Sequence, residues 1–181
     1  MKQSICHFII FKLCGWRVLG SPPVDKKFIL VGLPHTSNWD FVIAWFAVTA
    51  MGLDMKIFAK DSYHIWPLNY LSSVLGVLPV NRSKSTNFVD SVATMYQEAE
   101  TLHATLAPEG TRKFTPRLKS GYYYIAKTAE VAIVVAGPNY KNKSFTFMSA
   151  RAPLPTFEED QQDLIEFCKT QRGKYPENSF H

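Results

Sequence analysis

The stretch Phe28-Ile29-Leu30-Val31-Gly32-Leu33-Pro34-His35-Thr36-Ser37-Asn38-Trp39-Asp40 carries two signals in succession. Its first half is an unbroken apolar run. Apolar residues without polar alternation mark a strand buried on both faces of a parallel sheet. Its second half passes Pro34 and reaches Ser37 and Asn38, both helix-capping residues. Asp40 then falls in the first turn, where a carboxylate complements the helix dipole. A strand, a stiff turn and a capped helix in immediate sequence are the opening half of a β-α-β unit.

The same alternation repeats outward from this stretch. Phe28 to Leu33 reads as a strand and the next helix as running through about Met51. Met55 to Ala59 is a second strand, and a helix from Trp66 to Leu75 enters through Pro67. Gly76 to Val80 is a short strand whose Pro79 places it at an edge or a strand end. Asn87 to Thr101 is an amphipathic helix, with Phe88, Val92, Met95 and Tyr96 at helical spacing. Leu102 to Ala107 is a strand, Lys119 to Ala129 a helix, and Val131 to Ala136 a β-branched strand. Lys143 to Ser149 is a further strand, and Glu158 to Gln171 a last helix. The pattern defines a single α/β domain with a largely parallel sheet flanked by helices. Ser21-Pro22-Pro23 breaks it from the segment before, dividing residues 1–20 from a main domain of 21–181.

Composition narrows the classes of function. At 181 residues with 46% apolar content the chain buries a real core, which excludes a disordered scaffold. Its net charge of +5 is compatible with anionic lipid, a phosphorylated substrate or nucleic acid. No zinc-finger spacing, P-loop or basic helix is present, which disfavours nucleic acid as a partner. Cys6, Cys14 and Cys168 are odd in number and unpaired in spacing, so neither a disulfide framework nor a metal site is expected. Their usage fits a reducing compartment.

Ile5 to Leu19 is rich in Phe, Ile, Leu and Trp, broken by Lys12, Gly15 and Arg17. It is short for a transmembrane helix and has no convincing cleavage site for a signal peptide. Two readings stand. One is an interfacial helix, apolar side in the bilayer and Lys12 and Arg17 at the headgroups. The other is a helix packed on the core.

Two short strings carry chemistry. His35 and Asp40 stand at a strand end, where open α/β sheets hold their ligands. If the loop folds back, Asp40 accepts a hydrogen bond from one ring N–H of His35 and leaves the other nitrogen basic. The same two residues also fit a loop histidine and a dipole-complementing aspartate. Pro108-Glu109-Gly110-Thr111-Arg112 leaves another strand end. Gly110 permits positive φ or close approach, and Arg112 offers a planar fork for phosphate or carboxylate. Glu109 can orient that arginine or accept a substrate hydroxyl. Lys60 and Arg82 also stand at strand ends, and in a parallel sheet these ends share one edge.

On these motifs the chain resembles the glycerolipid acyltransferase family, typified by 1-acylglycerol-3-phosphate acyltransferases. The family's His-x4-Asp motif is matched by His35 and Asp40, its glycine-to-arginine motif by Gly76 to Arg82, and its Pro-Glu-Gly-Thr-Arg motif by Pro108 to Arg112. Its apolar fourth motif corresponds to Val131 to Ala136, with Ala132 and Val135 in place of prolines. Pro34 stands where the family often has Asn. The resemblance covers roughly residues 28 to 140.

The resemblance implies an acyl thioester donor, on coenzyme A or acyl carrier protein, as co-substrate, with no bound cofactor or metal. The implied acceptor is a lysophospholipid, 1-acylglycerol-3-phosphate above all; an amino-acid-based lyso-lipid is an alternative. It further implies His35 as base and Asp40 as its partner. Arg82 and Arg112 would hold the acceptor phosphate within a site that includes Glu109, Gly110 and Thr111. Lys60 is a candidate for the oxyanion. The expected location is the cytoplasmic face of a membrane, peripheral or monotopic. A non-catalytic lipid-binding protein of the same fold and a thioester hydrolase are the alternatives; no Gly-x-Ser-x-Gly elbow supports a serine hydrolase.

Overall fold

The computed structural model describes residues 2–60, 75–80 and 85–181. The helix expected from Trp66 and the residues Arg82 and Lys84 lie outside them. A seven-stranded sheet organises the chain, in the order β1-β7-β6-β2-β5-β3-β4. Its strands are β1 (Arg17–Leu19), β2 (Lys27–Gly32), β3 (Met55–Lys60), β4 (Val77–Val80), β5 (Leu102–Leu106), β6 (Ala132–Asn139) and β7 (Ser144–Phe147). The five strands from β6 to β4 run parallel; β7 pairs antiparallel with β6, and β1 lies parallel to β7.

The continuous apolar runs occupy the middle of this sheet because both its faces are covered. On β2 and β6, Ile29, Val31, Ile133 and Val135 point to one layer of helices, while Phe28, Leu30, Val134 and Ala136 point to the other. The first layer is α3 (Ser85–Glu98), α4 (Gly121–Ala129) and α5 (Phe157–Thr170), which bring in Val92, Tyr96, Tyr122, Ile125 and Leu164. The second layer is α2 (Asn38–Ala50), whose Ala47 and Val48 meet the sheet. The edge position of β4 explains how Pro79 is tolerated there, since an edge strand has one unpaired side.

The N-terminal segment departs from the single helix expected to run to Leu19. It forms a short helix α1 (Lys2–His7), a π-helical stretch (Phe8–Leu13), and then β1. Gly15, at φ 71°, turns the chain, and Arg17, Val18 and Leu19 join the sheet edge beside β7. Cys6, Ile10 and Trp16 are buried against Ala50 and neighbouring residues of α2. Ile5, Phe8 and Leu13 are exposed. The segment therefore packs on the domain through one face and presents an apolar face to its surroundings. It also explains why α2 is apolar nearly all round: the helix is sandwiched between the sheet and this segment.

One close approach fixes the turn after β2. The Leu33–Pro34 bond is cis, and the Leu33 amide donates to the Ala136 carbonyl at 3.0 Å. Gly137 lies so near that a Cβ there would stand 1.5 Å from the Leu33 carbonyl oxygen. Only hydrogen fits. Gly137→Ala is expected to destabilise the domain by roughly 3 kcal/mol or more, as overpacking against immovable backbone does. Gly121→Ala, where nothing lies within 4 Å, is the control and should remain within about 1 kcal/mol of the parent. Urea unfolding of the two variants checks the difference.

Candidate active site

Sheet topology creates the crevice. From β2 the chain crosses through α2 to β3 on one side; from β5 it crosses through α4 to β6 on the other. Between neighbouring strands whose connections depart in opposite directions, the carboxyl ends leave an open cleft. His35 follows the end of β2 and Glu109 the end of β5, so the two conspicuous strings of the sequence face each other across it.

Asp40 is the anchor of the first string. Ser37 caps α2, accepting from the Trp39 amide at 3.2 Å, and Asp40 at the third helical position returns to the amides of the cap. Its Oδ2 accepts from Thr36 N at 2.6 Å and Ser37 N at 2.7 Å. Its Oδ1 accepts from the Tyr140 hydroxyl at 2.8 Å. The carboxylate is buried, and charge-assisted donors compensate its lost hydration. The loop does fold back: His35 Nδ1 lies 3.5 Å from Asp40 Oδ2, with the imidazole partly open to solvent. Helix capping and histidine partnership, which the sequence posed as alternatives, belong to one carboxylate at once.

Glu109 makes a contact that the sequence did not point to. Its Oε2 accepts the backbone N–H of His35 at 2.7 Å, tying the β5 turn to the β2 turn. Because β5 lies directly beside β2, the carboxylate reaches the neighbouring backbone, while Arg112 extends elsewhere. Glu109 is buried, and that burial pushes its pKa up from the ordinary 4.5 to about 7. The His35 amide and the His35 charge oppose the shift, and the Asp40 charge adds to it.

Arg112 is exposed and donates through its guanidinium to Asn38 Oδ1, a second tie between the two strings. Gly110 adopts φ 63°, and the Lys119 ammonium would stand 2.4 Å from a Cβ at that position. Thr111 is exposed, its hydroxyl accepting from the Lys113 amide at 3.3 Å. Lys60 ends β3 at the same edge of the sheet. Arg82 lies outside the described residues.

Two cavities meet at His35. One, of about 270 Å³, runs beneath His35 and Asp40 between the sheet and α2, and its walls include Leu30, Phe41, Met55 and Phe145. The other, of about 440 Å³, reaches from His35 past Thr105 to Gly110, Thr111 and Arg112. A base thus stands between an apolar chamber and a groove ending on a guanidinium.

Tyr140 escaped the sequence reading. It stands immediately after β6, which lies directly beside β2, so its place at the end of a strand neighbouring the His35 strand was the available signal. The C-terminal segment was missed as well: the Tyr175 amide donates to Thr36 Oγ1 at 3.3 Å, and Gly173 packs closely on Thr36.

Fold and site together define an α/β domain with its polar groups gathered at the carboxyl edge of the sheet. The family model described as Acyltransferase matches residues 18–137, and the chain belongs to that acyltransferase family; it is an enzyme of acyl transfer. Among solved structures it is similar in fold to the 1-acyl-sn-glycerophosphate (LPA) acyltransferase PlsC from Thermotoga maritima, with a TM-score of 0.61. That match covers 93% of this chain and 77% of the other at 15% identity. Comparison with curated proteins finds no match.

The raised Glu109 pKa has a definite consequence for stability. A carboxyl whose folded pKa lies above its unfolded value holds its proton more tightly when folded. Its stabilisation is complete below about pH 4.5 and is lost as the pH rises through about 7. Glu109→Gln keeps an acceptor oxygen for the His35 amide and never ionises. The variant should therefore lose less stability than the parent between these two pH values, by an amount on the order of 3 kcal/mol at most. Denaturation at a series of pH values measures the two slopes.

Proposed function

We propose that the protein transfers a fatty acyl group from a thioester donor, acyl-CoA or acyl carrier protein, to the hydroxyl of a lysophospholipid, with 1-acylglycerol-3-phosphate the foremost acceptor. The observation that carries this reading is Asp40 held by three hydrogen bonds and facing His35 Nδ1, at the junction of an apolar chamber and an arginine-ended groove. A proton on Nδ1 directed at the carboxylate leaves Nε2 as the base.

In this mechanism Nε2 removes the acceptor hydroxyl proton as the oxygen attacks the thioester carbonyl. Asp40 stabilises the imidazolium that forms, as contacts of this kind tighten in the substrate complex. The tetrahedral intermediate collapses by breaking its carbon–sulfur bond, and the imidazolium returns the proton to the departing thiolate. Products are the ester and the free thiol. Neither a covalent acyl-enzyme nor a cofactor or metal is needed, because the thioester is already activated. The chamber beneath His35 accommodates the acyl chain, and Arg112, with Arg82, grips the acceptor phosphate. Lys60 and backbone amides are the candidates for holding the oxyanion. Glu109 and Gly110 shape the turn that carries Thr111 and Arg112.

The acceptor resides in a bilayer, and the exposed Ile5, Phe8 and Leu13 supply an apolar face for its surface. Among the described residues no helix is long and apolar enough to cross a membrane. The apolar face supports attachment to a membrane surface, and the side proposed is the cytoplasmic one.

A panel of lyso-acceptors, each offered with acyl-CoA and with acylated acyl carrier protein, tests the function by mass spectrometry of the products. The expected product is a diacylated phospholipid; donor hydrolysis alone would make the protein a thioesterase instead. His35→Ala should lower kcat by roughly 100- to 10,000-fold, the usual contribution of a general base. Arg112→Ala should raise the acceptor KM by about 10- to 150-fold with little change in donor KM, the value of a charge-assisted contact.

Surface attachment has its own test. Phe8→Ser and Leu13→Ser should reduce sedimentation with anionic vesicles while leaving the melting temperature near that of the parent, since both side chains are exposed. Undiminished sedimentation of the double variant would place the membrane contact elsewhere.

A further inference from the structure

Tyr140 sits at a meeting point that none of the family motifs includes. Its hydroxyl donates to Asp40 Oδ1 at 2.8 Å, on the oxygen that the cap amides leave free. Its backbone amide donates to the Arg172 carbonyl at 2.9 Å, so the residue is held from the far side. Its ring stands edge-on to Trp16, centroids 5.2 Å apart and planes at 88°. Trp16 is itself buried with Cys6 and Ile10, which belong to the N-terminal segment.

We propose that Tyr140 is a positioning residue for acyl transfer, aligning Asp40 with His35, and that the docked N-terminal segment maintains this alignment through the Trp16 ring. The inference rests on the reading of His35 and Asp40 as the base pair.

Physical chemistry supports each link. A carboxylate with both cap amides on Oδ2 still has Oδ1 unsatisfied, and a buried acceptor left so is costly. The phenol supplies that donor, and its other environment is apolar, where burial and the neighbouring Asp40 charge hold it in the protonated, donating form. The charged or titratable groups that bear on Asp40 are His35, Glu109 and Tyr140. Of these three, Tyr140 touches the N-terminal segment, through the Trp16 ring. Further bonds clamp that segment to the turn after Tyr140: the Arg17 amide donates to the Lys143 carbonyl at 2.9 Å, and Lys143 Nζ donates to the Cys14 carbonyl at 3.3 Å. A segment whose outer face is apolar and whose inner face supports the carboxylate links the state of the surface helix to the geometry of the base.

The experiment uses the full chain with an acyl-CoA donor and 1-acylglycerol-3-phosphate in detergent. Tyr140→Phe keeps the ring against Trp16 and removes only the hydroxyl. Its kcat should fall about tenfold, equivalent to ~1.4 kcal/mol, with KM for both substrates and the melting temperature near those of the parent. Trp16→Phe, which keeps an aromatic ring against Tyr140 and whose melting temperature is measured alongside, should lower kcat in the same direction but have little effect in the Tyr140→Phe background, the non-additivity expected of residues acting through one contact. The His35 imidazole, read by ¹⁵N NMR without substrate, should favour the Nδ1–H tautomer in the parent and lose that preference in Tyr140→Phe. An unchanged kcat or an unchanged tautomer in Tyr140→Phe overturns the positioning role, and additive effects of the two variants overturn the link to the N-terminal segment. His35→Ala run in parallel separates the two ideas: if it retains full activity the base reading itself has failed, whereas an inactive His35→Ala beside a fully active Tyr140→Phe removes the role of Tyr140 alone.

Discussion

The carboxylate of Asp40 is the constraint on which the site depends. Two amides of the β2–α2 turn and one tyrosine hydroxyl converge on it, and it is buried. A buried anion in this position has to be satisfied or it unfolds its surroundings. Satisfying it draws the loop back over the start of α2, and this return brings His35 Nδ1 to within 3.5 Å. The orientation of the imidazole is thus a by-product of capping the helix. The capping box and the approach of His35 to Asp40 have one physical origin.

A second carboxyl group holds the other side. Glu109 crosses from the β5 turn to the His35 amide, and Arg112 crosses from the same turn to Asn38. The two strand ends are therefore cross-tied twice, once through backbone and once through side chains. Glu109 carries the cost of that tie in its raised pKa, because it is desolvated beside another carboxylate. Gly137, with its hydrogen against the Leu33 carbonyl, allows β6 to come near enough for Tyr140 to reach the same cluster. Three adjacent strands, β6, β2 and β5, each deliver one polar residue to one point, and the parallel direction of these strands is what makes that convergence possible.

Much of the fold was readable from periodicity. The apolar runs Phe28 to Leu33 and Val131 to Ala136 correspond to β2 and β6, each shifted by a residue or more at its ends. Helices α2, α3, α4 and α5 fall on the segments read as helical, with ends displaced by a few residues at most. The strand β1 was not readable: Arg17, Val18 and Leu19 continue an apolar stretch that suits a helix equally well. Their pairing with Ser144, Phe145 and Thr146 is a long-range contact that leaves no local trace. At the site, His35, Asp40, Glu109 and Arg112 stood out by residue type, but the tie from Glu109 to the His35 amide did not, because a carboxylate's partner depends on which strand lies next to its own.

By itself, then, the chain's sequence determined the alternation of strands and helices, the parallel sheet, the family, and the residue types at the sheet edge. These follow from period, capping chemistry and short motifs, all of which are local. Only the tertiary structure decided that Glu109 holds the His35 amide, that Tyr140 completes the shell of Asp40, and that the N-terminal segment packs inward through Cys6, Ile10 and Trp16 while leaving Ile5, Phe8 and Leu13 outside. Each of these depends on strand order and on which face of an element meets its neighbour. Contacts between residues such as Asp40 and Tyr140, a hundred positions apart, are set by that order and not by any pattern along the chain.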